Sequence, residues 1–237
     1  MNIHLITYGN EQYAFQRENF RQSAIVSGFF DKITVFTPED IDPHFTKQFN
    51  QILKFRRGGG YWLWKPYFVQ KAMDNTKEGD ILIYVDAGCM VNPKGKARFD
   101  EYINQVMEDE TGTLVFQLNF KEYEFTKQEV FQYFRATEEL INAHQHLSGI
   151  ILFRKCAHSV KIIDKWMQAV YDNAWLFTDH LWMQQRDGFI ENRHDQSILS
   201  MLIKIYGAVR IPDETYFLDF EKEGQRFPFW ATRLSHL

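Results

Sequence analysis

Side chains that can do chemistry follow two predicted buried strands. Asp86 comes directly after Ile81–Val85, a run that is apolar or aromatic throughout. Tyr8 and Asn10 come after a less apolar run of the same length, at residues 3–7. Ligands of open α/β sheets bind outside the carboxyl ends of the strands, so these positions predict a ligand site.

Asp86 is a carboxylate at the end of the most apolar strand. A buried carboxylate is costly without a partner, and a divalent cation is a natural one, because Mg²⁺ usually takes one or two carboxylates plus substrate phosphates. The alternative is structural: Asp86 caps a helix or accepts backbone N–H bonds.

Lys65 stands just before Pro66, which suits the first turn of a helix predicted to continue to about Met73. A helix start favours an anion, and Arg56 and Arg57 precede it by a few residues. The alternative is that the Lys65 stem lies along a core of aromatic neighbours. Those neighbours are Tyr61, Trp62, Trp64 and Tyr67.

Three further groups are candidates on residue type. Ser148 and Gly149 precede a predicted strand, where an ordinary turn is the simpler interpretation. His144 and His146 form a His-x-His pair with no evident third metal ligand nearby. Asp195 precedes an apolar helix, a position typical of a helix N-cap.

The elements that must position these residues form an α/β pattern. Strands are predicted at residues 3–7, 32–37, 81–85, 113–118, 149–153 and 209–211. Helices are predicted at residues 11–28, 44–55, 66–73, 159–175 and 194–206. The order strand–helix–strand at the start indicates a βαβ unit, and the whole predicts a sandwich with a mostly parallel sheet. Without a repeat or linker, the 237 residues favour one domain.

Composition narrows the class of protein. The net charge is −4, which argues against a chain held to nucleic acid or an anionic membrane mainly by charge. Cys89 and Cys156 are the two cysteines and cannot form a disulfide framework. Neither a signal peptide nor an apolar run of about 18 residues is evident, so we expect a cytoplasmic protein with no transmembrane segment.

Four segments resemble nucleotide-sugar glycosyltransferases of the GT-A fold. They are GGGYWLWKPY (residues 58–67), DILIYVDAGCMVN (80–92), HLSGIILFRK (146–155) and NRHDQSILSML (192–202). Over about residues 3–212, the chain is similar to small soluble enzymes that build microbial or viral surface glycans. The resemblance implies a GT-A-like, Rossmann-like α/β/α sandwich over residues 1–237. About residues 1–110 would bind the nucleotide sugar and about 111–237 the acceptor.

The resemblance also implies a divalent cation, Mn²⁺ or Mg²⁺, on the donor diphosphate. The family places two carboxylates two residues apart at the strand end, where Asp86 is followed by Gly88 instead of a second carboxylate. Gly88 allows a ligand to approach the backbone closely but supplies no side-chain ligand. Asp86 would then bind metal with waters, or bind hydroxyls of the donor. His236 matches a late histidine that is a metal ligand in many relatives.

The remaining roles follow from the same resemblance. Asp195 would be catalytic with Asp86, taking the proton of the acceptor hydroxyl in an inverting enzyme, or pairing with Gln196 on the donor sugar in a retaining one. Donor binding would fall to a wider set, with Tyr8 and Asn10 near the nucleoside and Lys65 and Arg57 near the diphosphate. That set is Tyr8, Asn10, Arg57, Lys65, Gly88, Ser148, Gly149, Arg193, His194 and Gln196.

The function implied is transfer of a sugar from a nucleoside-diphosphate sugar to a glycan, lipid-linked or protein acceptor, as in polysaccharide biosynthesis. One alternative is a non-catalytic sugar-nucleotide-binding protein, which Gly88 keeps open. Another is a nucleotidyltransferase or phosphohydrolase. Such enzymes usually need several carboxylates or a phosphate-binding loop, and no Gly-Lys-Ser/Thr follows residues 58–60.

Overall fold

The computed structural model describes residues 1–232 and contains one large and one small β-sheet. The strands are β1 (Ile3–Tyr8), β2 (Lys32–Phe36), β3 (Ile81–Val85), β4 (Met90–Val91), β5 (Thr113–Lys121), β6 (His144–Arg154), β7 (Val209–Pro212) and β8 (Phe229–Trp230). The large sheet has the order β2-β1-β3-β6-β5-β7, and β4 pairs with β8.

The large sheet is mostly parallel, as the sequence predicts. β1 is parallel to both β2 and β3, and β5 is parallel to β7. β6 is the exception and runs antiparallel to β3 and β5. Its beginning therefore lies beside the carboxyl end of β3, and the Asp86 N–H donates to the Gly149 carbonyl at 2.8 Å. This reversal brings the start of β6 to the same sheet edge as Asp86.

Helices cover both faces of the large sheet. They are α1 (Ala14–Ser27), α2 (Pro43–Gln48), α3 (Asn50–Leu53), α4 (Gly58–Tyr61), α5 (Trp64–Asp74), α6 (Lys96–Glu108), α7 (Glu122–Phe125), α8 (Gln128–Phe134), α9 (Glu138–Asn142), α10 (Ala157–Asn173), α11 (Asp195–Tyr206) and α12 (Phe220–Glu223). Within residues 1–232, no helix combines the length and the apolar character needed to cross a bilayer.

The side chains of β3 point alternately to the two faces of the sheet and contribute to two separate hydrophobic cores. Ile81 and Ile83 pack with residues of α1 and α6 on one face. Leu82 and Tyr84 pack with residues of α5, α10 and α11 on the other. Successive residues of a strand point to opposite faces, so a strand buried on both sides must be apolar at every position. The result is the predicted α/β/α sandwich.

The predicted elements are present, with differences at their ends. The helix expected at residues 44–55 is two short helices, α2 and α3. The helix expected to begin at Pro66 begins at Trp64. β6 begins five residues before the predicted strand, at His144, because its polar first half is buried against α11. The sequence analysis missed α6 and the short helices between β5 and β6.

The predicted division of labour between residues 1–110 and 111–237 stays a prediction. In the large sheet, β1, β2 and β3 come from the first part and β5, β6 and β7 from the second. The two parts meet where β3 pairs with β6.

Candidate functional site

One cavity of about 460 Å³ lies at the carboxyl ends of β1 and β3. Twelve of the thirteen residues singled out from the sequence line it. They are Tyr8, Asn10, Arg57, Lys65, Asp86, Gly88, Ser148, Gly149, Arg193, His194, Asp195 and Gln196. The thirteenth, His236, lies outside the described residues. The roles of these residues stay predictions, but the structure places the twelve around one space.

Lys65 joins the two candidate catalytic carboxylates. Its Nζ lies 3.1 Å from Asp86 Oδ1 and 2.7 Å from Asp195 Oδ2. Lys65 is the second residue of α5, Asp86 follows β3, and Asp195 is the first residue of α11. Three elements that are far apart in sequence therefore bring one ammonium and two carboxylates into contact.

The three charged side chains differ in their access to the cavity. The exposed fraction of the side chain is 2% for Lys65, 5% for Asp195 and 37% for Asp86. Burial lowers the pKa of Lys65, but the carboxylates of Asp195 and Asp86 outweigh burial, so its pKa is raised and it stays an ammonium. Burial raises the pKa of Asp195, with a contribution from the charge of Asp86.

Two hydroxyls complete the shell around the carboxylates. The Tyr84 hydroxyl donates to Asp86 Oδ1 at 2.6 Å, and Ser148 Oγ donates to Asp195 Oδ2 at 2.7 Å. Asp195 is thus not the N-cap residue of α11, a position that His194 occupies. Its side chain is directed to Lys65 and Ser148 instead.

A buried hydrogen-bond chain runs from Ser148 into the protein. The Ser148 N–H donates to Gln196 Oε1 at 3.2 Å, and Gln196 Nε2 donates to Gln145 Oε1 at 2.7 Å. Gln145 Nε2 in turn donates to Glu122 Oε1 at 2.9 Å. Glu122 forms a buried ion pair with Lys204. Satisfied networks of this kind fix side-chain orientation, because breaking one member leaves buried polar groups unpaired.

A left-handed turn forms another wall of the cavity. Residues 58–62 all have positive φ, between 55° and 96°. Glycine adopts this conformation without strain, and a Cβ at Gly60 would lie 2.6 Å from the Leu53 Cα. The turn ends at Trp62, a non-glycine residue in the same region. The three glycines are therefore a backbone requirement of this wall.

Aromatic rings follow this turn in the cavity wall. Trp62 stacks on the His194 ring with centroids 5.1 Å apart, and Trp64 lies 3.9 Å from the Tyr8 ring. The sequence interpretation that these aromatics belong to the core holds for Trp64, which is buried. Both tryptophans nevertheless contribute to the cavity lining.

His194 is buried in a strained backbone conformation, with φ 55° and ψ −119°. Its Nδ1 lies 2.8 Å from the Phe177 carbonyl oxygen, which can only accept, so Nδ1 carries the proton. Burial lowers the pKa of His194 to about 4, so the ring is neutral at pH 7. His194 is therefore a neutral group at the start of α11.

The two arginines of the predicted site contact carboxylates or aromatic rings. Arg57 pairs with Asp179 at 3.1 Å and with Glu191 at 2.8 Å, and about half of its side chain is exposed. Arg193 stacks on Phe125 with its guanidinium carbon 3.7 Å from the ring centroid. Arg57 is thus the more accessible cation of the pair. Its neighbour Arg56 is exposed.

Gly149 and Gly88 allow close approach at the strand ends. A Cβ at Gly149 would lie 2.8 Å from Asp86 Oδ2, so a side chain at this position would displace the Asp86 carboxylate. The Gly88 carbonyl accepts from Thr232 Oγ1 at 2.9 Å. Asn10, after β1, accepts the Gln12 N–H at 3.1 Å and so caps the turn that follows.

The described residues do not fit a divalent cation held by Asp86. Its Oδ1 already accepts from the Tyr84 hydroxyl and the Lys65 ammonium, whose charge would repel a cation. Gly88 offers no second carboxylate. Residues 1–232 contain no group of three or more His, Cys, Asp or Glu side chains that could hold a metal ion.

Sequence reasoning missed two sets of residues around the cavity. Gln145 and Glu122 support Ser148 and Gln196 from behind, and they lie in polar stretches that resemble surface. Asp213 and Thr215 line the opposite wall after β7. The rule that ligands bind after strand ends could have identified this second pair.

Two solved structures are similar to nearly all of this chain. One is a glycosyltransferase involved in the glycosylation of the major capsid of PBCV-1, with a TM-score of 0.51, 11% identity, and coverage of 97% of this chain and 92% of that chain. The other is the bifunctional glycosyltransferase WbbM, with a TM-score of 0.54, 10% identity, and coverage of 97% of this chain and 45% of that chain.

The chain has the GT-A glycosyltransferase fold. It spans less than half the length of the WbbM structure but nearly all of the PBCV-1 one. No protein-family model and no curated protein matches the sequence. In this GT-A fold, the cavity at the ends of β1 and β3 occupies the position expected for a ligand of an open α/β sheet.

Proposed function

We propose that this protein transfers a sugar from a nucleoside-diphosphate sugar to a glycan, lipid-linked or protein acceptor. The observation that carries the proposal is the Lys65 ammonium between Asp86 and Asp195 in the cavity wall. Buried charges are expensive, and perturbed ionisable groups grouped in a cleft are typical of active sites. The glycosyltransferase fold gives this group of charges its reaction class.

Asp86 is the carboxylate that a substrate can reach. A group that accepts a proton must come within hydrogen-bond distance of the donor, and only Asp86 of the pair is substantially exposed. We assign contact with a substrate hydroxyl to Asp86. Asp195 holds Lys65 and Ser148 in place, and so positions the Lys65 ammonium against Asp86.

The leaving nucleoside diphosphate gains negative charge as the bond to the sugar breaks, so positive groups must face it. Lys65 is shared by two carboxylates, whereas Arg57 is half exposed in the cavity wall. We therefore assign the diphosphate to Arg57, which would exchange part of its contact with Asp179 and Glu191 for phosphate. Tyr8 and Asn10 would lie beside the nucleoside.

Donor binding is tested by a thermal-shift screen with UDP-, GDP-, dTDP- and CMP-sugars, each with and without Mn²⁺. At about 100 times its Kd, a specific ligand adds about 2.7 kcal/mol, or about 5–10 °C for a chain of this size. A shift with one nucleotide class, equal with and without Mn²⁺, is the expected result. If none of these donors shifts the midpoint, the proposal fails.

Transfer is then tested by release of the nucleoside phosphate from the donor that binds. Asp86→Asn should lower release at least about 100-fold, the size typical of lost acid–base catalysis, and Asp195→Asn should also lower it, because Lys65 and Ser148 lose the carboxylate that positions them. Asp100→Asn is the matched control, because Asp100 pairs with Lys96 on the exposed face of α6. Donor binding without release, across a broad set of acceptors, would support the non-catalytic alternative that Gly88 suggests.

A further inference from the structure

A second group of aromatic residues surrounds a cleft of about 390 Å³ outside the cavity. We call it the aromatic cleft, and it is lined by Asn173, Trp175, His180 and Trp182. The His180 ring lies 5.7 Å from Trp175 and 5.8 Å from Trp182. Trp175 is 38% exposed and Trp182 is 45% exposed. Grouped exposed aromatic rings of this kind mark interaction sites more often than isolated ones do.

Lys127 holds the backbone on one side of the aromatic cleft. Its side chain is fully buried, and its ammonium donates three hydrogen bonds of 2.8–2.9 Å. The acceptors are the carbonyl oxygens of Trp175, Thr178 and His180. A buried charge is tolerated only when it is well hydrogen-bonded, and here all three bonds go to this one segment.

Glu129 holds the backbone on the other side. It is also buried, and its carboxylate accepts from the N–H groups of Trp182 at 2.6 Å and Met183 at 2.9 Å. Gln185 Nε2 donates to the same carboxylate at 3.0 Å. Two buried charges thus hold the segment 175–183, which begins in a 3-10 helix (Ala174–Phe177) and continues without a helix or strand, and this segment presents two exposed tryptophans. A binding surface that is rigid before binding loses little entropy when it binds.

The segment that carries the aromatic cleft also contacts the wall of the cavity. Between Trp175 and His180, the Phe177 carbonyl bonds His194 and Asp179 pairs with Arg57. Both partners line the cavity. His180 of the aromatic cleft therefore directly follows Asp179, a residue that contacts the cavity wall through Arg57.

A further cavity of about 450 Å³ also has Trp175 in its lining. Its lining includes three carboxamide side chains and one ammonium. They are Gln48, Asn50, Gln51 and Lys47. Trp175 therefore belongs both to a cleft lined by aromatic rings and to a cavity lined by several amide residues, a combination that suits a ligand with both apolar faces and polar edges.

We propose that the aromatic cleft binds a sugar unit of the acceptor glycan, remote from the unit that receives the new sugar. Sugar rings present C–H faces that stack on indole and hydroxyl edges that bond amides, which matches the aromatic and amide residues that line the two cavities at Trp175. The proposal rests on the proposed function, because it takes the acceptor of that reaction to be a glycan. An acyl chain is disfavoured by the three amide residues Gln48, Asn50 and Gln51, which offer it no apolar surface.

The test is ¹⁹F NMR of the full chain labelled with 5-fluorotryptophan, without any nucleotide sugar. Trp175→Phe and Trp182→Phe assign the two resonances. The probes are hexasaccharides of glucose, galactose, mannose and N-acetylglucosamine, because ring stacking tolerates different sugars. We expect both resonances to shift with a common Kd for at least one hexasaccharide. Trp182→Ala should weaken that binding about tenfold.

Phe15→Ala is the control, since Phe15 is a 63% exposed aromatic residue on α1. It should leave the Kd unchanged. The proposal is overturned if no hexasaccharide moves either resonance, if Trp182→Ala binds as wild type, or if phospholipid vesicles alone move them. Because no donor is present, loss of this binding is distinct from failure of the donor screen, which tests the proposed function separately.

Discussion

Replacing Lys65 by methionine would remove the ammonium between Asp86 and Asp195 while keeping a side chain of similar length. Removing one partner of a buried ion pair costs about 3–5 kcal/mol, because it leaves an uncompensated charge. The repulsion is of similar size: at about 6 Å and an effective dielectric constant of about 20, two carboxylates repel by about 3 kcal/mol. We expect Lys65→Met to lower the free energy of unfolding by about 3–5 kcal/mol.

The assay is urea unfolding at pH 7 and pH 5. The control is Lys71→Met on the same helix, where an exposed Lys71 donates to the Asp40 carbonyl, and its cost should be about 1 kcal/mol or less. Adding Asp195→Asn to Lys65→Met should restore part of the loss, because the remaining Asp86 carboxylate is partly exposed and no longer repelled.

The pH dependence supplies a second criterion. Without Lys65, the pKa of Asp195 in the folded protein rises further above its unfolded value, so the folded state binds the proton more tightly. The difference in free energy of unfolding between wild type and Lys65→Met should therefore become smaller as the pH falls from 7 to 5. A variant within about 1 kcal/mol of wild type, or a double variant no more stable than Lys65→Met, would refute the electrostatic reasoning.

Two other variants test single contacts. Burial lowers the pKa of His146 to about 3. Below about pH 6.5 this histidine is therefore protonated in the unfolded chain but not in the folded protein, and the free energy of unfolding falls. Between pH 7 and pH 5, His146 accounts for a fall of about 2 kcal/mol in the free energy of unfolding. In urea unfolding, the stability of His146→Gln should therefore fall by about 2 kcal/mol less than that of wild type over this range. An equal fall in both proteins would contradict the prediction. Gly149→Ala places a methyl group 2.8 Å from Asp86 Oδ2 and should lower nucleotide release, but have no further effect when Asp86 is already alanine. An additional loss in that background would show that the methyl group acts elsewhere.

The sequence predicts the location of the site better than its contacts. Asp86 follows an apolar strand and Asp195 begins an apolar helix, and these local patterns identify both. The ion pair through Lys65 depends on which strands are neighbours, and the reversed strand β6 has no local signature. The partners of Arg57 lie 122 and 134 positions along the chain, so they too are set by the fold.

Buried charges are the other feature that the sequence conceals. Glu122 and Lys127 belong to a polar stretch that resembles surface, yet both are fully buried. Their burial is possible because Lys204 and three backbone carbonyls satisfy them, and those partners come from elsewhere in the chain. By contrast, α6 could have been predicted, since Phe99, Ile103 and Val106 recur at helical spacing.

The strand order has a consequence for the synthesis of the chain on the ribosome. β1, β2 and β3 are neighbours and are complete by Val85, so they can pair early. β5 ends at Lys121, but its partners β6 and β7 both follow it, and β6 ends at Arg154. At about 5–20 residues per second, synthesis from the end of β5 to the end of β6 takes roughly 2–7 s. During this time the backbone N–H and C=O groups of the apolar strand β5 have no partner strand. We expect fragments that end in this interval, once released from the ribosome, to be cleaved by protease around residues 114–116 and to bind chaperones, whereas the full chain resists cleavage there.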